Sequence, residues 1–90
     1  MRFRHRGLQR LYERGDARRL NPQFIPRIRR MLTALDEATV PRHLDIPGWG
    51  LHPLKGDRVG QWSVQVSGNW RIVFRFEKGE AVDLDLTDYH

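Results

Sequence analysis

Three stretches toward the C-terminal end alternate apolar and polar residues, and no other pattern in the chain restricts its fold as strongly. Trp62, Val64 and Val66 alternate with Ser63, Gln65 and Ser67; Ile72, Phe74 and Phe76 alternate with Arg71, Val73 and Arg75. Val82, Leu84 and Leu86 do the same with Asp83, Asp85 and Thr87. A period of two marks strands with one buried face, and the faces fix the register because a one-residue slip would expose the core. Ser67-Gly68-Asn69 and Lys78-Gly79-Glu80 are expected to be three-residue hairpin loops, each carrying the Gly a bulged turn uses. The first pairs Val66 with Trp70, Val64 with Ile72 and Trp62 with Phe74. The second pairs Phe76 with Val82, Phe74 with Leu84 and Ile72 with Leu86. The product is an antiparallel meander with one apolar face, which helices must cover.

The other face presents Gln61, Ser63, Gln65, Arg71, Arg75, Asp83, Asp85 and Thr87. Arg75 falls opposite Asp83, an ordinary surface ion pair of small energetic value. Arg71 has no acidic residue opposite and lies near the chain end. Trp62 and Trp70 belong to the apolar face and are expected in the core. Trp49 lies outside it and has no assigned role.

The cover comes from upstream. Residues 2–6 alternate as a short edge strand, with Phe3 and His5 on one side, until Gly7 breaks the pattern. Leu8, Leu11 and Tyr12 recur at helical spacing and predict two turns ending at Gly15. Phe24, Ile28, Met31, Leu32 and Leu35 form the stripe of a longer helix, with Arg27, Arg29 and Arg30 mostly off it. Asn21-Pro22 suits its N-cap and first position, Pro26 pushes the regular helix later, and it should fade near Ala38. Residues 39–60 have no period and are punctuated by Pro and Gly; so long a loop in a small domain is usually functional. The expected fold is α+β, ordered β-α-α-β-β-β, with two helices on one face of the sheet.

Ninety residues form one domain, 1–90, since halves would be too small to bury a core. There is no cysteine, hence no disulfide or thiolate metal site. No apolar run approaches the roughly 18 residues a membrane span needs, and the basic N-terminus leads into a polar helix. A soluble cytoplasmic protein without membrane partners is expected. Net charge is +5, and it is unevenly spread. Residues 1–30 hold ten arginines against Glu13 and Asp16, a balance of +8, whereas residues 31–90 hold six basic against nine acidic groups, −3. Arg outnumbers Lys fourteen to two, which suits bidentate contacts to phosphate or carboxylate. A polyanionic partner, an acidic protein and a merely solvated surface all fit the charge alone.

Two short runs carry more. One is Leu51-His52-Pro53-Leu54-Lys55-Gly56-Asp57-Arg58-Val59-Gly60-Gln61-Trp62-Ser63, leading to Asn69-Trp70-Arg71-Ile72; the other is Thr87-Asp88-Tyr89-His90. Together they resemble the HigB branch of the RelE-like toxins, the ribosome-dependent messenger-RNA endonucleases of bacterial toxin–antitoxin pairs. The resemblance extends over essentially the whole chain, including the Arg-rich opening and the strand order; the stretch Gly48-Trp49-Gly50 is its one idiosyncrasy. It implies cleavage of translated mRNA in the A site of the 70S ribosome, contacts to 16S rRNA, and a cognate helix-turn-helix antitoxin, HigA-like. It implies no cofactor. His52, Arg71, Asp88, Tyr89 and His90 are the implied catalytic set. Lys55 and, more weakly, Asn69 are implied RNA contacts, to which the charge distribution adds Arg29 and Arg30.

The same residue types fit RNA cleavage on chemical grounds. The ribose 2′-OH must lose a proton, the phosphorane's extra charge must be stabilised, and the 5′-oxygen must gain a proton. Histidines titrate near neutrality and suit both transfers, in either assignment of His52 and His90. Arg71 and Lys55 can neutralise phosphate, Asp88 can orient a histidine, and Tyr89 can stack on a base or donate its hydroxyl. A metal held by His43, His52, His90 and Asp88 lacks any local ligand spacing to support it. The competing readings are a non-catalytic RNA- or ribosome-binding regulator on the same scaffold and a plain protein-interaction module.

Overall fold

The computed structural model describes residues 1–88. Helix α1 spans Arg6–Arg14, started by His5, whose Nδ1 accepts the Leu8 amide at 3.2 Å, and stopped by Gly15 in the left-handed region at φ 67°. Gly7 does not break this helix but permits its cap, because a Cβ there would lie 2.8 Å from the His5 ring. Asn21 caps a 3-10 turn over Pro22–Phe24, and α2 follows over Ile25–Glu37. Pro26 sits in its first turn, where its missing N–H would have had no helical partner. Ile28, Met31, Leu32 and Leu35 are buried along one side of α2, as the stripe predicts.

The sheet has four antiparallel strands in the order β1 (His52–Pro53), β2 (Gln61–Ser67), β3 (Trp70–Glu77) and β4 (Glu80–Asp88). Val64, Val66, Ile72, Phe74, Ala81 and Leu84 meet Leu8, Leu11 and the α2 stripe in one core. The α+β fold, with its helices against one side of an antiparallel meander, is as expected. Its first strand is not. Residues 2–5 contribute a single parallel bridge, Phe3 to Leu84, because α1 already begins at Arg6. That bridge is fixed by the Leu84 amide to the Arg2 carbonyl at 3.1 Å and by the Arg4 and His5 amides to the Leu84 carbonyl.

The predicted centre of the meander register holds: Val64 pairs with Ile72, Trp62 with Phe74 and Ile72 with Leu86. The ends differ. Both hairpins close through two residues rather than three, with Ser67 opposite Trp70 and Glu77 opposite Glu80. The extra residues appear instead as irregularities between Gln65 and Ser67 and across from Val73–Arg75. The second turn has positive φ at both Lys78 (54°) and Gly79 (75°), the backbone twist that suits a two-residue hairpin. The bulge in β4 falls at Asp83, also left-handed at φ 56°. It moves Ala81, not Val82, into line with Phe76 and the core. Two tryptophans exchange their expected places. Trp70 is 38% exposed at the strand end, with its ring centroid 6.2 Å from that of Phe24, whereas Trp49 is buried in the core.

Candidate active site

Strand alternation turns Ser63, Arg71, Val73 and Asp85 away from the helices. Pairing aligns His52, Ser63, Val73 and Asp85 in one row across all four strands, and Gln65, Arg71 and Thr87 in the next. His52 and Arg71 therefore share a face, and both adjoin Ser63. Ser63 is fully buried, and its Oγ accepts a hydrogen bond from Arg71 Nη1 at 3.0 Å. The same Nη1 donates to the Gly50 carbonyl at 3.2 Å. Among the described residues, Nε and Nη2 of Arg71 bond to no acceptor.

The aperiodic loop is what delivers His52 to this face. Trp49 plugs into the core, its carbonyl accepts the Gln65 amide at 2.7 Å, and Arg27 of α2 donates to the carbonyls of Gly48 (2.6 Å) and Gln65 (3.0 Å). The chain so fastened passes Gly50, in the left-handed region at φ 57°, and enters β1. His52 is an exposed strand residue rather than a loop residue. Pro53 is tolerated there because β1 is an edge strand, whose outer side needs no donor. Leu54 is buried and its amide reaches the Gln61 carbonyl at 2.9 Å, which sets exposed Lys55 just beyond the His52 row, at the start of a 3-10 turn over Gly56–Arg58.

The other proposed residues are placed differently. Asn69 lies in the β2–β3 turn, two residues before Arg71. Asp88 pairs with Trp70 at the end of β4, and alternation puts it in line with Leu84 and Leu86, on the helix side rather than the Arg71 side. Tyr89 and His90 lie outside the described residues. Arg29 and Arg30 are exposed on α2, so the sheet lies between them and His52. Arg29 instead borders a cleft between the helices, with Leu11, Tyr12, Leu32, Thr33 and Asp36. Ser63 and Gly50 were not singled out from the sequence. A small polar residue at mid-strand, diagonal to an unpaired Arg on the same face, was the available signal for Ser63.

At the far end of this face, away from Asp85, the charges pair with one another. Arg75 Nε lies 2.7 Å from Asp83 Oδ2 and Arg75 Nη2 lies 2.8 Å from Glu77, while Arg2 joins both acids. Hydrogen bonds from Arg2 and then Arg75 hold the Asp83 carboxyl below its ordinary range, and those from Arg75 do the same for Glu77. Arg71 takes no part in this network among the described residues.

Residues 1–90 match the model of the RelE-like toxin of type II toxin–antitoxin systems, HigB. The chain belongs to that family. An endoribonuclease HigB from Proteus vulgaris is 46% identical over 88 residues, which are 98% of this chain and 96% of that protein. A HigB-like toxin of a type II system implies a cognate antitoxin as partner. Among the described residues, no helix of this HigB-like chain is long and apolar enough to cross a membrane.

Proposed function

We propose that the chain is a cytoplasmic endoribonuclease that cuts translated mRNA in the A site of the ribosome, acting through its 90 residues as one domain. The observation that carries this reading is the placement of His52 and Arg71 on one open sheet face around a buried Ser63. Its HigB relative is named an endoribonuclease. In the reaction a histidine takes the proton of a ribose 2′-OH, and the 2′-oxygen attacks the adjacent phosphorus. Arg71, with Lys55, faces the charge that builds on the phosphorane oxygens. The P–O5′ bond then breaks, a second histidine protonates the leaving 5′-oxygen, and a 2′,3′-cyclic phosphate remains.

His52 and His90 are the two groups assigned to these transfers, with Tyr89 holding a base. Asp88 lies on the helix side of β4 and not on the face of His52, so the histidine it would orient is His90. So sparse a site, spread over a sheet face, needs its substrate held in line from outside, which the ribosome with its 16S rRNA would do. Asn69 would contact RNA beside it, and Arg29 and Arg30, on the opposite side of the sheet, would contact ribosomal phosphate. Primer extension on a translated message tests this reading. Cuts within codons that appear only with the protein and only on ribosome-bound message are expected. Equal cutting of naked RNA would remove the ribosome from the mechanism, and ribosome binding without cuts would make the protein a non-catalytic regulator.

A further inference from the structure

Among the described residues of the sheet, Ser63 is the one fully buried polar side chain. An apolar side chain would fill the same space without a hydroxyl to satisfy. The hydroxyl is instead used by a charged donor from the neighbouring strand: Arg71 Nη1 reaches it at 3.0 Å and the Gly50 carbonyl at 3.2 Å. Nη1 carries two hydrogens, so these two acceptors account for it completely. A planar guanidinium fixed through one nitrogen can no longer rotate freely about its last bonds. Its remaining N–H edge, Nε and Nη2, is then presented in one orientation. Ser63 stands directly opposite His52 in the β1–β2 ladder, so that orientation is defined relative to the proposed proton-transfer group.

We propose that Ser63 is the positioning residue of this site: its buried hydroxyl holds Arg71 so that the guanidinium meets the scissile phosphodiester already aligned. The inference rests on the endoribonuclease reading and deepens it. Preorganised donors stabilise a transition state because they need no reorganisation when charge develops. Removing the hydroxyl leaves Arg71 in place but free to swing, and it leaves the phosphate's recruitment to the ribosome unaltered. The loss should therefore fall on the chemical step and not on the concentration at which the toxin saturates ribosomes.

Ser63→Thr and Ser63→Val provide the test, since they have nearly the same shape and differ in the hydroxyl. Both should share any effect of overpacking, read from their thermal midpoints. In single-turnover cleavage on programmed ribosomes, Ser63→Thr should remain at least tenfold faster than Ser63→Val, with half-saturating concentrations within about twofold. Ser63→Ala should lose roughly 10- to 100-fold in rate, the scale of one hydrogen bond to a charged group. In an Arg71→Ala background, followed over long time courses, adding Ser63→Ala should change the rate by less than twofold. Equal rates for Thr and Val, or a full Ser63→Ala effect without Arg71, would overturn the proposal while leaving the endoribonuclease reading intact. Parental cleavage by Arg71→Ala would likewise overturn the proposal alone, whereas absence of cleavage by the parent protein would overturn the endoribonuclease reading, which tells the two failures apart.

Discussion

Arg75 Nε and Asp83 Oδ2 lie 2.7 Å apart although the two residues are not partners in the strand ladder, where Arg75 faces Val82. The bulge that displaces Asp83 also aims it, at Arg75 on one side and Arg2 on the other. A left-handed φ of 56° at a non-glycine residue is tolerated best by Asn, Asp and Gly, and poorly by β-branched residues. Asp83→Asn should keep the bulge and lose only charge, whereas Asp83→Val should cost about 1–2 kcal/mol more in backbone strain. Urea denaturation of the two variants checks the difference, and equal midpoints would mean that the bulge is not held.

Acid should find the same cluster. Asp83 and Glu77 have folded-state pKa values below their ordinary ones, so they bind fewer protons folded than unfolded. The stability they contribute is complete above the ordinary carboxylate range, near pH 4, and is lost as pH falls through the lower folded values. Denaturation midpoints between pH 6 and 2 should therefore drop less steeply in an Asp83→Asn, Glu77→Gln variant than in the parent. Parallel curves would assign acid sensitivity to other carboxylates.

Trp49 should be a stability residue despite its loop address. It is buried with the core, and its carbonyl takes the Gln65 amide. Trp49→Ala should destabilise the fold by about 3–5 kcal/mol, as truncation of a buried aromatic does. Because the plug also anchors the approach to His52, cleavage measured below the melting range should fall as well. A change under about 1 kcal/mol would mean that the loop repacks without it.

The arginines of α2 are separated from the sheet face that carries His52 and Arg71. If Arg29 and Arg30 contact ribosomal phosphate, changing both to Ala should weaken ribosome binding and flatten its dependence on salt, since fewer counterions are released. The thermal midpoint should not move, because both side chains are exposed. An unchanged salt slope would transfer them to the antitoxin-facing or merely solvated surface.

Much of this fold was legible because its signals are local and periodic. The core faces of β2 and β3 and the α2 stripe follow from spacing alone, and the caps at Asn21 and Gly15 from residue type. What escaped depends on distant partners. The bulge at Asp83 is aimed at Arg2, 81 positions away, and no nearby pattern announces it. Trp49 is buried from an aperiodic loop, where periodicity has nothing to say, and Trp70 is exposed because the sheet ends there. Of the site, His52 and Arg71 were legible through motif and charge. Ser63 was not, since a serine on a polar strand face looks solvated until the loop that covers it is placed.

The bridge between Phe3 and Leu84 makes the first residues of the chain wait for nearly the last. Short hairpin loops close quickly and at small entropic cost, while a closure across some eighty residues becomes favourable only once the rest is assembled. The N-terminal segment is therefore expected to close late, as a latch on a sheet already formed. Loosening it, as in Phe3→Ala, should hasten unfolding and leave the folding rate nearly unchanged, which stopped-flow chevrons would register. A toxin built this way would pass through a lifetime in which its sheet face is complete and its latch is open.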